Sequence, residues 1–255
     1  MKILITNDDG LNTNGMLHLE EALAELGEVW AIAPDRERSA TSMALSIRDT
    51  LRLTKMGERR YMLTGFPADC VNVALFTEGF PEFDLVVSGI NHGVNLGDDI
   101  HYSGTVGAAR HAALHGISAI AVSCPIREHD GDFRRAAVWV KNWIKNNIEN
   151  ISRDVVYNIN YPLEDEVSKR GSFPEERMTS QGKRIYLDAY QVIEQGSDYS
   201  VMRMKDTGMG HVEQEGSDFD LLEKGYVSIT PLLMLVTDYK EKERWKILNN
   251  QNLKK

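Results

Sequence analysis

The sequence predicts an α/β protein: a Rossmann-like, doubly wound, mainly parallel sheet followed by a β-rich/helical C-terminal extension that ends in a charged tail. Three observations carry this. Short apolar runs recur at residues 3–5, 29–33, 85–88, 119–123 and 155–160, most of them closed by polar or breaker residues. Between most of them lie segments whose apolar residues follow helical spacing. From about Leu163 that rhythm changes to strand-like stretches punctuated by glycine. Strands alternating with helices make βαβ units, and right-handed crossovers turn those into a parallel sheet with helices on both faces.

Taken in order, Ile3-Leu4-Ile5 is apolar at every position, as a strand buried on both faces requires. Met16, Leu19, Leu23 and Leu26 share one face of a helix over 15–26, with Gly27 as its stop. The strand at 29–33 closes at Pro34-Asp35, and residues 50–56 and 59–64 read as two strands around a turn at Gly57. Pro67 opens a helix through residue 76, because proline is favoured at the first helical position. A strand at 85–88, a helix over 104–115, a strand at 119–123, a helix over 133–146 and a strand at 155–160 complete the alternation. Residues 184–203 read as strand with Gly196 as punctuation, and 226–230 as a further strand. Residues 1–255 are therefore expected to form one domain, with a core at 1–165 and an extension at 166–255.

Composition narrows the partners. The chain is 255 residues long, with 42% apolar and 26% charged residues, an ordinary balance for a globular protein with a substantial core. A formal net charge of −9 argues against gripping a nucleic-acid polymer or an anionic membrane surface. No apolar run approaches the roughly 20 residues of a membrane-spanning helix. Met1-Lys2 leads directly into a strand, which predicts no leader and a cytoplasmic setting. Cys70 and Cys124 make neither a disulfide framework nor a zinc pattern and are expected as buried thiols.

Chemistry concentrates where the parallel strands would end, the edge at which open α/β sheets bind ligands. The first strand runs into Asn7-Asp8-Asp9-Gly10. Adjacent carboxylates repel, and a hard cation such as Mg²⁺ or Mn²⁺ would reconcile them; the plain alternative is a solvated turn. After the second strand come Arg36-Glu37-Arg38-Ser39-Ala40-Thr41-Ser42, where Ser39 offers either a neutral oxygen ligand or an ordinary cap. A third cluster runs from Ser88 to Asp99, with glycines at 89, 93 and 97 and with Asn91 and Asn95 between them. Its glycine spacing is not that of a dinucleotide fingerprint, yet glycine admits close ligand approach and an asparagine carbonyl suits a hard cation. Tyr102-Ser103-Gly104-Thr105 then opens a helix, whose free backbone N–H groups suit an anion, unless the hydroxyls act only as caps.

Other patterns carry less. His111 and His115 have the spacing of a zinc helix but lack its glutamate, and no P-loop or G-x-S-x-G elbow occurs. His92, His101 and His129 fall in polar loops with no partner pattern that assigns them proton transfer.

Together, Ile5-Thr6-Asn7-Asp8-Asp9-Gly10, Ala33-Pro34-Asp35-Arg36-Glu37-Arg38-Ser39-Ala40, Gly65-Phe66-Pro67-Ala68-Asp69-Cys70, Val87-Ser88-Gly89-Ile90-Asn91-His92-Gly93-Val94-Asn95 and Tyr102-Ser103-Gly104-Thr105 resemble the survival protein SurE family. The match covers about the first 110 residues, in order. The resemblance implies a Rossmann-like core and a metal-dependent nucleotidase that releases phosphate from nucleoside 5′- or 3′-monophosphates by attack of a metal-activated water. It implies one divalent cation per subunit, Mg²⁺ or Mn²⁺, held by Asp8, Asp9, Ser39 and Asn91. Asn95, Ser103, Gly104 and Thr105 fall where the family holds phosphate, and Asp8 or Asp9 is expected to handle the proton. It further implies a homodimer or homotetramer, with residues 166–255 as an exchanged arm. Two rivals stand beside it: a nucleotide sensor without turnover, and an aspartyl-phosphate phosphatase with Asp8 as nucleophile. The second expects an acid two residues after the nucleophile, where this chain has Gly10.

Overall fold

Lys2–Thr6 (β1) is the strand about which the sheet is organised, and the computed structural model shows it paired in parallel on both sides. On one side lies Glu28–Pro34 (β2) and on the other Leu85–His92 (β5). Residues 1–125, 131–163, 174–187, 189–205 and 208–252 are described here. The expected division near residue 165, His129 and Asp188 lie outside them.

Beyond β2 come Arg60–Leu63 (β4), parallel, and Leu53–Lys55 (β3), antiparallel. Beyond β5 come Ser118–Cys124 (β6) and Val155–Asn160 (β7), both parallel. Glu176–Met178 (β8) and Val227–Leu233 (β13) complete the order β3-β4-β2-β1-β5-β6-β7-β13-β8 among the described residues. β13 pairs antiparallel with β7 and parallel with β8, so a strand of the extension belongs to the main sheet. The chain winds outward from β1 in both directions, which puts the topological switch between β1 and β5.

Alternation sorts the core into two layers. Ile3 and Ile5 point with Val87 toward Asn14–Leu23 (α1) and Gly131–Asn147 (α4), whose Met16, Leu19, Val140 and Ile144 are buried against them. Leu4, Ile32 and Val86 face the other way, onto Pro67–Phe76 (α2) and Gly104–Leu114 (α3). A strand buried on both faces has no polar side to give up, which is why β1 reads as a continuous apolar run.

Local chemistry sets the helix ends. Pro67 starts α2, and Asp69 Oδ2 accepts the Phe66 N–H at 2.9 Å. Ser103 Oγ accepts the Val106 N–H at 3.0 Å and starts α3. α1 ends at Leu23 rather than Leu26, because residues 24–26 turn to bring Glu28 onto the Met1 carbonyl at 2.9 Å. β5 continues to His92 instead of stopping at Ser88. Its register against β6 shifts between Ser88 and Asn91, so Asn91 and His92 pair with Ser123 and Cys124 as strand residues. Gly89 makes this possible: it has φ +140°, and a Cβ there would lie 2.3 Å from the Val122 carbonyl oxygen.

The remaining extension comprises Arg184–Tyr186 (β9), which pairs with Met209–His211 (β12), and a hairpin of Ala189–Gln195 (β10) with Ser200–Lys205 (β11). Two helices complete it, Asp218–Glu223 (α5) and Tyr239–Asn252 (α6). Among the described residues no helix is long and apolar enough to cross a membrane.

Candidate active site

β1 delivers Asn7, Asp8 and Asp9 to the switch point, and Asn7 closes the turn that follows. Its Oδ1 accepts the Gly10 N–H, and its Nδ2 donates to the Gly10 carbonyl and to Thr13 Oγ1, each at 3.0 Å. The two acids after Asn7 are thus presented by a loop clasped through its side chain.

Asp8 is 4% exposed, and its Oδ1 accepts the hydroxyl of the fully buried Thr105. Burial pushes its carboxyl up to about 6 from 3.8, opposed by the Thr105 hydroxyl and reinforced by the charge of Asp9. Asp9 is likewise raised by burial. The His92 N–H, 3.2 Å from Asp9 Oδ2, and the His92 ring pull it back, while Glu37 adds to the rise. Two neighbouring acids, each pushed toward its neutral form, make a site short of positive charge.

Helix α3 is set directly against this pair. At Gly104 a Cβ would sit 3.0 Å from both Cβ and Oδ2 of Asp8 and 3.1 Å from Thr41 Oγ1, so the bare backbone is what allows the approach. The first-turn N–H groups of an α-helix have no intrahelical acceptor, and Ser103 takes up that of Val106.

The loop after β2 straps across the same edge. The Arg38 N–H donates to the Asp8 carbonyl at 2.7 Å and the Ser42 N–H to the Tyr102 carbonyl at 2.8 Å. Asp69 anchors the far end through Ser46, at 2.9 Å from its backbone N–H and 2.8 Å from its hydroxyl. Arg38 also reaches Asp35 at 3.2 Å and lies over the Phe66 ring.

The expected site residues therefore divide. Asp8, Thr105 and Gly104 meet in direct contact, and Asp9 meets the backbone of His92, which follows Asn91. Asn91 donates its amide N–H to the Gly93 carbonyl at 2.7 Å, which commits the nitrogen and leaves Oδ1 as the acceptor of that side chain. Ser39 follows Arg38 beside Asp8, but it is exposed and its hydroxyl donates to Glu37 at 2.8 Å. Asn95 is buried at the ends of β6 and β7: its Nδ2 donates to Ser123 Oγ at 2.8 Å and its N–H to Asn160 at 2.9 Å, while Asn158 and Asn160 donate to its carbonyl. Ser103 is buried as the cap of α3.

Three supports lie outside the expected site residues. Asn7 clasps the acidic turn, Asp69 holds the strap, and Asp218 reaches from the extension to accept the Gly97 N–H at 2.7 Å and the Gly182 N–H at 2.9 Å. The Asn-Asp-Asp-Gly turn signal was available for Asn7; Asp218 lies 121 residues from its partner and gave none.

Two further regions carry no comparable arrangement. His111 and His115 stack edge to face at 4.8 Å, and His111 Nε2 lies 3.2 Å from Asn72 Oδ1, an inter-helix contact between α3 and α2. A cleft bordered by Met1, Asp84, Ser118 and Arg153 lies at the amino ends of the strands, opposite the carboxylates. Among the described residues no three His, Cys, Asp or Glu side chains gather as a metal site, so a cation at Asp8 and Asp9 would need neutral oxygens to complete its shell.

Known proteins match this chain. The family profile described as "Survival protein SurE" fits residues 3–188. The chain is 44% identical over 239 residues to a protein of Leptospira interrogans named 5'-nucleotidase SurE, covering 94% of each. It is 40% identical over 247 residues to the protein of that name from Geotalea uraniireducens, covering 94% of this chain and 95% of the relative. The crystal structure of the SurE protein from Aquifex aeolicus superimposes with a TM-score of 0.79 at 33% identity, over 98% of this chain and 100% of that one. The profile, the relatives over 94% of the chain and the shared fold agree: this chain belongs to the survival protein SurE family.

Proposed function

We propose that this chain is a divalent-metal-dependent nucleotidase that hydrolyses nucleoside 5′- and/or 3′-monophosphates to nucleoside and phosphate. The observation that carries the reading is the contact of Asp8, one of two adjacent desolvated acids, with the opening turn of α3 at the switch point. An anion-binding helix start beside two cation-seeking carboxylates suits a phosphate monoester held next to a metal. The relatives named 5'-nucleotidase support the 5′ reaction.

The donor chemistry fits a hard cation. Asp8, Asp9 and the Asn91 Oδ1 would hold Mg²⁺ or Mn²⁺, with Ser39 joining by turning its hydroxyl from Glu37. When bound, such an ion supplies charge neutralisation for the phosphoryl group and makes a water more acidic. The chain's own groups do the rest. The N–H groups of Gly104 and Thr105 face the equatorial oxygens at the positive end of α3, and Ser103 fixes that end. Thr105 spends its hydroxyl on Asp8 and so contributes to phosphate through its backbone. Asn95, which the family resemblance puts at the phosphate with Ser103, Gly104 and Thr105, is held in place by Ser123, Asn158 and Asn160. Asp8 or Asp9 takes the proton of the attacking water. Gly10 stands where an aspartyl-phosphate route needs its second acid, which favours water over Asp8 as nucleophile.

The insertion of β13 into the main sheet supports reading residues 1–255 as one domain whose core spans 1–165. Exposed apolar side chains on the β10–β11 hairpin, among them Tyr190, Val192, Val201 and Met202, support an arm that pairs subunits into a homodimer or homotetramer. Free, buried Cys70 and Cys124 agree with a reducing cytoplasmic setting.

The test is phosphate release from AMP, GMP, CMP and 3′-AMP by purified protein with Mn²⁺ or Mg²⁺, then with EDTA. Metal-dependent release that EDTA abolishes is expected. Nucleotide binding without release would replace the enzyme with a sensor, and release unaffected by EDTA would remove the metal.

A further inference from the structure

Tyr102 leaves 58% of its surface exposed although it adjoins the first turn of α3. Among the described residues the other large exposed aromatics belong to the end of α2, the β10–β11 hairpin and α6. Tyr102 is also rigidly mounted. Its N–H donates to the Asp99 carbonyl at 3.0 Å, and its carbonyl accepts the Ser42 N–H at 2.8 Å. Its ring meets Tyr186 edge to face, with centroids 6.1 Å apart and planes at 87°. Tyr186 is itself fixed, donating its hydroxyl to Asp99 Oδ1 at 2.8 Å, and the Arg184 guanidinium clamps the same carboxylate, its Nε 3.0 Å from Oδ2. A preorganised aromatic surface, backed on one side and open on the other, is the arrangement that binds a flat ring with little ordering cost.

We propose that Tyr102 is the platform on which the nucleobase of the substrate stacks, while the phosphate occupies the start of α3. This rests on the nucleotidase reading and deepens it. The next residue, Ser103, begins the helix whose N–H groups face the phosphate, so ring and anion site sit side by side on one fixed backbone. Stacking reads flatness rather than a hydrogen-bond pattern, so Tyr102 separates nucleotides from sugar phosphates without choosing a base.

The test is calorimetric binding of AMP and of ribose 5-phosphate, which lacks the base, to wild type, Tyr102→Ala and Tyr102→Phe. Tyr102→Ala is expected to weaken AMP about tenfold or more, the range of one base–aromatic stack, and to leave ribose 5-phosphate unchanged. Tyr102→Phe keeps the ring and is expected to bind AMP as wild type does. Equal weakening of both ligands by Tyr102→Ala would reassign Tyr102 to shaping the loop, and AMP binding unchanged in Tyr102→Ala, or no tighter than ribose 5-phosphate in wild type, would overturn the platform outright. Binding requires no turnover, so failure of phosphate release from AMP would remove the hydrolase while the comparison of the two ligands still decides the platform.

Discussion

Thr105 gives its hydroxyl to Asp8 across 97 residues of sequence, joining the end of the central strand to the first turn of α3. This single contact makes the proposed cation site and the proposed anion site one rigid unit. Shifting either one displaces the other.

Replacing Asp8 or Asp9 with Asn is expected to lower turnover of AMP by about a thousandfold, the scale of losing a principal electrostatic element. The shape and hydrogen-bonding size of the side chain persist, so the circular dichroism spectrum should match wild type. Near-normal turnover in either variant, with metal present, would contradict the assignment of these carboxylates.

Metal binding should depend on pH in a defined direction. Asp8 has an ordinary carboxyl value of 3.8 and is raised to about 6 in the fold, so the metal-free protein retains a proton there that the unfolded chain has lost. Ionising it costs the metal-free fold stability as pH rises through that window, and a cation requires the ionised form. The rise in Tm on adding Mn²⁺ should therefore be small at about pH 5 and large at about pH 7.5, reversed by EDTA. Equal increments at both values would rule out Asp8 as a ligand.

Gly104→Ala separates stability from function. Alanine is favoured over glycine within a helix by about 1 kcal/mol. Its methyl group would press on Asp8 Cβ and Oδ2 at 3.0 Å. Expected is a Tm within about 5 °C of wild type, with kcat/KM for AMP lowered roughly tenfold as the carboxylate is displaced. Unaltered kinetics would show that Asp8 can yield without consequence.

His111 supplies an acid-sensitive contact away from the site. Burial, and then the charge of His115, lower its pKa below the usual 6.5, with Asp69 opposing. The fold thus favours the neutral ring: stability from this group is complete above about 6.5 and is lost as pH falls below it, because the unfolded chain takes up the proton first. Denaturation midpoints between about pH 7.5 and pH 5.5 should fall further in wild type than in His111→Gln. Parallel losses in the two proteins would assign the acid response to other groups.

Much of this was readable in one dimension. The apolar runs of β1, β2, β6 and β7, the proline opening of α2 and the small-residue start of α3 are signals that neighbours in sequence set. Asp8 and Asp9 stood out because a strand end loaded with like charge is costly without a counterion. Three things were hidden for a common reason. The return of β13 against β7, the reach of Asp218 to Gly97 and the pairing of Thr105 with Asp8 are each decided by which distant segment arrives alongside, and local periodicity holds no record of that. The overrun of β5 to His92 was hidden differently: glycine and asparagine read as loop, and only the register shift against β6 keeps them in the sheet. Ser39 was legible as an oxygen near the edge, but not the Glu37 carboxylate that engages it.

The position of β13 also bears on biosynthesis. Domains begin to organise from the N-terminus while the chain is still emerging at roughly 5–20 residues per second. The outer margin of β7 is ready well before residues 227–233 leave the ribosome, and so is Gly97, whose N–H waits for Asp218. For several seconds each nascent molecule carries an unpaired strand margin and a Gly97 loop without its anchor, and a chain that stalls in that interval presents both to its neighbours.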